Sequence, residues 1–136
     1  MLLVIDVSVM ASWHFSDEFR VESHSLLDSL ERQIRAVRVP GIWWFEIRQM
    51  LLKGERRRRA TQLQTEQFLL FLRVLPIALV EDLDADAVLV LARRHQLSFY
   101  DAAYLELALR DNIALATLDQ ALARAAASEG VPLIAA

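Results

Sequence analysis

The chain predicts an α/β fold built on a parallel sheet with helices covering both faces. Three observations carry that reading. Short apolar runs at Leu2–Ile5, Pro76–Val80 and Ile113–Thr117 are too uniform to alternate between core and water. They are separated by longer segments with helical periodicity, and strands alternating with helices are the pattern of a parallel sheet with crossover helices, expected to be right-handed. The third observation is a path length. Nine helical steps from Asp101 to Arg110 advance the chain ~13 Å at about 1.5 Å each. Four strand steps from Ile113 to Thr117 then bring it back ~13 Å at about 3.3 Å each. Asp119 therefore returns to the level of Asp101, so two acids distant in sequence meet at one edge of the fold. Such a meeting calls for a cation or for a raised pKa.

The elements follow in order. Leu2 to Ile5 reads as a buried strand, followed by Asp6 at its carboxyl end. Ser8 is a candidate N-cap for a short helix through His14. Val21 to Ile34 reads as a helix with Leu26, Leu27, Leu30 and Ile34 as its apolar stripe. Ala36 to Val39 is a short strand, punctuated by Pro40-Gly41. Ile42 to Lys53 is a strongly apolar helix interrupted by one acid, Glu46, and Gly54 ends it. A helix from Ala60 to Arg73 carries Leu63, Phe68, Leu69, Phe71 and Leu72. Pro76 to Val80 opens a buried strand, with proline tolerable at the first residue. Leu83 to His95 is helical and capped near Asp82 or Asp84, with Val88, Leu91 and Ala92 inward. Tyr100 to Arg110 follows, with Glu106 and Arg110 as a supporting i,i+4 pair and Asp111-Asn112 as a stop. After the Ile113 strand, an alanine-rich helix spans Asp119 to Ser128, Gly130 caps it, and Pro132 to Ile134 is a last short strand.

At 136 residues and 55% hydrophobic, the chain is read as one globular domain over residues 1–136. No apolar run approaches the ~20 residues of a membrane helix. The start, MLLVID, lacks the charged n-region of a signal peptide. The absence of cysteine excludes disulfides and thiolate metal sites, and a cytoplasmic location is expected. Fifteen basic against eighteen acidic side chains give a net charge of −3. Any role on nucleic acid must therefore rest on a local patch or on a bound metal.

Ligands of open α/β sheets sit beyond the carboxyl ends of the strands. Asp6 ends the first strand, Asp119 lies just past the Ile113 strand, and Asp101 begins a helix. Taken singly, an Asp at such a place is a cap or a macrodipole partner. Capping does not explain Glu46, which stands one turn from both Trp43 and Met50 on a face that should be largely covered.

Together, DVS at 6–8, PGIWWFEIRQMLLKG at 40–54, LSFYDAAYLELALRDNIALATLDQAL at 97–122 and the trailing Gly130-Val131-Pro132 resemble a PIN-domain nuclease. The similarity is strongest to the toxin half of VapBC-type toxin–antitoxin pairs and covers essentially the whole chain in order. The YDAAYLELA and ATLDQAL segments are its most specific parts. The resemblance implies a PIN-like three-layer sandwich around a central parallel sheet of four to five strands. It implies a Mg²⁺- or Mn²⁺-dependent endoribonuclease that cleaves RNA with a metal-activated water, held off by a cognate antitoxin and assembled as a homodimer. The family's acidic quartet falls on Asp6, Glu46, Asp101 and Asp119. Asp6 and Asp101 are the expected direct ligands, Glu46 binds metal or orients its water, and Asp119 completes a second, weaker site. Ser8 and Thr117 match the accompanying hydroxyl residues. One turn after the glutamate the family often has Asn, where this chain has Gln49, the same amide on a longer arm.

The chemistry fits independently. Hard divalent cations prefer oxygen ligands and keep several waters when only a few carboxylates hold them. The basic run Arg56, Arg57, Arg58 and Arg59 reads either as a solvated surface or as a grip on the RNA backbone, which gives affinity without sequence information. His14, His24 and His95 lie on different elements with no paired ligand spacing and read as surface or packing residues. Asp82, Asp84 and Asp86 suit a helix start. Of the adjacent aromatics Trp43, Trp44 and Phe45, not all can point inward, so at least one is expected on a partner surface.

Three other readings compete. A receiver-like regulatory domain needs an acidic pair near the first strand and a lysine near the last strands, but the only lysine is Lys53 and Asp6 has no acidic neighbour. A catalytically silent PIN-like binding module is opposed by the intact acids. A haloacid-dehalogenase-type phosphatase would want D-x-D where this chain has D-x-S.

Overall fold

The computed structural model describes residues 1–136. Four strands, β1 (Leu2–Ile5), β2 (Ala36–Pro40), β3 (Ile77–Val80) and β4 (Ala114–Ala116), form one sheet in the order β3-β2-β1-β4. Every pairing is parallel, with Val4 opposite both Arg38 and Leu115. Seven helices flank the sheet: α1 (Val7–His14), α2 (Val21–Glu31), α3 (Trp43–Arg56), α4 (Gln62–Val74), α5 (Ala85–His95), α6 (Phe99–Asp111) and α7 (Gln120–Ser128). This is the α/β architecture expected. The core runs from the fully buried Leu3, Val4 and Ile5 through Val9, Met10 and Ile47 to Tyr104, Leu105, Leu115 and Leu122. Helix α6 packs against β1, β2 and β4, and for that reason is covered nearly all round. No helix is long and apolar enough to cross a membrane.

Several elements depart from the sequence reading, each for a local reason. The cap of α1 is Asp6, whose carboxylate accepts from Val9 N at 3.4 Å, and Ser8 lies inside the helix. Helix α2 stops at Glu31, so Ile34 is exposed instead of completing a stripe. Gly54 is not a stop, because α3 continues to Arg56 with Gly54 buried against the Phe15 ring. Strand β3 is an edge strand, which leaves Ala78 and Leu79 exposed. Leu63 faces solvent in the first turn of α4. The last strand is reduced to one parallel bridge, Leu115 with Leu133.

Other signals act as expected. Asp84 caps α5. Asn112 ends α6 in the left-handed conformation at φ 53°, and Gly130 follows α7 at φ 79°. Arg110 donates to Glu106 at 3.1 Å, although Glu106 is itself buried.

Candidate functional site

The sheet order brings the ends of β1 and β4 side by side, because those strands are parallel neighbours. Asp6 leaves β1 and Asp119 follows β4, so both emerge at the same carboxyl edge. Strand β2, next to β1, ends at Pro40 and feeds α3, whose first turn holds Glu46. Ser98 caps α6 and accepts from the backbone N–H of Asp101 at 3.0 Å, which sets Asp101 in the opening turn of that helix.

A small network of hydroxyls orients Asp6. Ser8 donates to its Oδ1 at 2.5 Å, and Thr117 donates to its Oδ2 at 2.6 Å. The same hydroxyls hold the neighbouring chain: Leu118 N donates to Ser8 Oγ at 2.9 Å and Asp119 N donates to Thr117 Oγ1 at 3.0 Å. Ser8 and Thr117 thus stitch the end of β1 to the loop after β4. Asp119 caps α7 through Oδ1, which accepts from Leu122 N at 3.1 Å, and Oδ2 takes no bond. Tyr104 donates to Glu46 Oε1 at 2.8 Å, leaving Oε2 free.

The electrostatics tie these acids into one site. Burial pushes the Asp6 carboxyl up to about 6, and the charge of Asp101 adds to the rise against the hydroxyl and amide donors that lower it. Glu46 is raised by burial and then by Asp101 and Asp6, while the Tyr104 bond works the other way. Asp101 is raised by burial and by Asp119. Each of these three acids feels another member of the quartet, and Asp101 feels Asp119, the pair that the path length sets at one level. Tyr104, buried against Glu46, is held far above the ordinary tyrosine range.

A hard divalent cation suits this donor set. All ligating atoms are carboxylate oxygens, and a cation would relieve both the burial and the mutual repulsion. No three acidic or histidine side chains close onto a single point as a finished cage.

The remaining residues singled out by the sequence divide. Gln49 lies on the α3 face that carries Glu46 and lines a groove of about 540 Å³ running away from the acids. Arg57 and Arg59 line the far end of the same groove, whereas Arg56 and Arg58 are exposed outside it. Arg59 is already engaged, donating to Asp17 and Glu18 at 2.9 Å each and lying over the Phe15 ring. None of the three histidines joins the acids: His95 pairs with Glu129, His14 stacks on Phe15 and Phe68, and His24 packs on Phe19. Sequence reasoning missed Tyr104. The signal was its place one turn after Asp101 on a helix face that must point inward.

Comparison with known proteins identifies the fold. The PIN domain family model matches residues 3–128. A search of curated protein sequences found no significant relative. Among solved structures, PAE2754 from Pyrobaculum aerophilum superposes with a TM-score of 0.69 at 18% identity, covering 98% of this chain and 89% of that one. VapC20 from Mycobacterium tuberculosis, described as a sarcin-ricin loop cleaving toxin, gives 0.63 at 15% identity, with 90% and 94% covered. VapBC2 from Rickettsia felis, solved bound to a DNA fragment from its promoter, gives 0.69 at 15% identity over 100% and 99% of the two chains. At such identities the structural likeness establishes the fold, and the match over nearly the full length establishes the family. An acidic quartet at the carboxyl edge of a four-stranded parallel sheet is therefore set in a chain that belongs to the PIN domain family.

Proposed function

We propose that this chain is a Mg²⁺- or Mn²⁺-dependent endoribonuclease, the toxin of a VapBC-type toxin–antitoxin pair. The observation that carries the proposal is the gathering of Asp6, Glu46, Asp101 and Asp119 at one sheet edge, with three of them raised by burial and by one another. The neighbours support the rest: VapC20 is described as cleaving the sarcin-ricin loop, and the Rickettsia felis and Klebsiella pneumoniae structures are toxin–antitoxin complexes. A cognate antitoxin is accordingly the proposed protein partner. A homodimer is proposed from the apolar surface that α3, α4 and β3 leave uncovered.

Asp6 and Asp101 would hold the cation, with Glu46 and Asp119 completing its surroundings. When bound, the cation supplies Lewis-acid activation of water and of the phosphodiester. The chain does the positioning. Ser8 and Thr117 keep both Asp6 oxygens aimed, and Tyr104 pins Glu46 through Oε1. Glu46 Oε2 remains free to accept the proton of the attacking water. Asp119 keeps Oδ2 free while Oδ1 caps α7.

Purified without antitoxin, the protein should cut single-stranded or loop RNA with Mg²⁺ or Mn²⁺, and EDTA should stop it. Loops are favoured because their phosphodiesters and bases are accessible. Asp6→Ala, Glu46→Ala and Asp101→Ala should each remove most cleavage, with losses far short of additive because they serve one assembly. Asp101→Ala protein that cuts as fast as wild type after the same purification would replace the nuclease with a silent PIN-like binding module.

A further inference from the structure

We infer that the groove beside the acids is a track for a single RNA strand, with a base stacked on Tyr100 and phosphates seated on Lys53 and Arg57. The inference rests on the ribonuclease reading for the identity of the strand, and it names how that strand is held. One face of α3 forms the first wall. Glu46, Gln49, Met50, Lys53 and Arg57 recur at helical spacing and all line the groove. At about 1.5 Å per residue, Lys53 lies about 10 Å and Arg57 about 16 Å along the helix from Glu46. Gly54 and Phe15 make the floor, since the absence of a Cβ at Gly54 leaves room for the edge of the ring against the helix.

Charge selects the phosphate contacts. Neither Lys53 nor Arg57 forms an ion pair, so both cations are free in the groove. Arg59 is committed to Asp17 and Glu18, whose two charges it offsets only in part, so it is not available to a phosphate. Of the four-arginine run, only Arg57 is therefore both free and inside. The track is acidic at the Glu46 end and cationic at the other. That polarity suits a strand whose scissile phosphate meets a metal at one end and whose neighbouring phosphates meet side-chain cations.

The opposite wall supplies the base contact. Tyr100 precedes Asp101, lines the groove, and is 53% exposed, with Phe99 edge-on to it at 6.4 Å. Just over half of Tyr100 is open to solvent. An aromatic face beside a phosphate track is how sequence-tolerant single-strand sites hold bases. A volume of about 540 Å³ falls within the ~300–1,000 Å³ of small-molecule pockets.

The test uses a short RNA carrying 2-aminopurine at successive positions, bound in EDTA so that nothing is cut. Wild type should quench the probe at one position. Tyr100→Ala should lose that quench and weaken binding about tenfold, whereas Tyr100→Phe should retain both. Lys53→Ala and Arg57→Ala should each flatten the log Kd against log salt slope by ~0.7, and Arg56→Ala, outside the groove, should not. Equal flattening by Arg56→Ala, or an undiminished quench in Tyr100→Ala, overturns the track. Cleavage is scored separately with Mn²⁺. Quenching without cleavage would reject the nuclease and keep the track; cleavage with an unaltered Tyr100→Ala profile would do the reverse.

Discussion

At the scale of single residues, Asp6 carries the clearest consequence. The residue is 4% exposed, and burial pushes its carboxyl up to about 6 in the folded chain, against an ordinary value of 3.8. A raised folded-state pKa means that the fold prefers the protonated acid. The stability Asp6 contributes is therefore fully present below about pH 4 and is lost as pH rises through 6. The full difference is worth on the order of 2–3 kcal/mol at neutral pH. Asp6→Asn removes the buried charge and keeps an acceptor for Val9 N and Ser8, so the metal-free variant should melt several degrees above wild type at pH 7.5 and level with it near pH 4. Manganese should reverse the order. It should raise the wild-type melting temperature, more at pH 7.5 than at pH 5 where the proton competes, and leave Asp6→Asn unmoved. Thermal melts at the two pH values, with and without Mn²⁺, check all of this. A wild type indifferent to millimolar Mn²⁺ would remove the metal site.

At the scale of elements, what could be read in the chain was the pattern, and what could not was packing from a distance. The four strands and seven α-helices were placed within a few residues, because apolar period and turn residues are local signals, whereas the strand expected at Pro132 to Ile134 is only a bridge. Asp6 took the capping role read for Ser8, since the hydroxyl was needed to bridge Asp6 and Leu118 across more than a hundred residues. Gly54 misled for a similar reason. Glycine weakens a helix interior by ~1 kcal/mol relative to alanine, and nothing in the local sequence offsets that. The offset is Phe15, whose ring occupies the space a Cβ would need. Gly54→Ala should therefore gain helix propensity and still destabilise, by about 1–2 kcal/mol, because a ring 3% exposed beneath Arg59 has nowhere to move. Denaturant melts would show it, and a more stable variant would mean that Phe15 is free to shift. The double variant Gly54→Ala with Phe15→Leu should recover part of the loss through the space released.

At the scale of the whole molecule, the candidate site was more legible than the topology that builds it. The path from Asp101 to Asp119 could be measured along the chain, but the order β3-β2-β1-β4 could not, because parallel neighbours are chosen by crossovers and not by local residues. That order has a second effect, which is to leave β3 at an edge beside α3 and α4. Trp44 and Phe45 on α3, Leu70 and Val74 on α4 and Leu79 on β3 are all exposed there. The surplus of aromatics on α3 resolved as one ring in and two out, with Trp43 buried and donating to Met10 Sδ. Between these elements an apolar pocket of about 220 Å³ is lined by Trp43, Trp44, Leu69, Leu72 and Leu79, and rimmed by Arg48 and Arg73. Desolvation and the nearby Arg73 hold the Arg48 guanidinium below its usual range, so this rim lacks a counter-charge. A dimer should therefore elute at twice 15.5 kDa by light scattering at tens of micromolar, and Trp44→Glu should yield a monomer with unchanged far-UV circular dichroism. Leu79→Lys, placing a charge on the bare edge, should do the same. A wild type of monomer mass at that concentration would reject the dimer and leave the apolar face to a different partner.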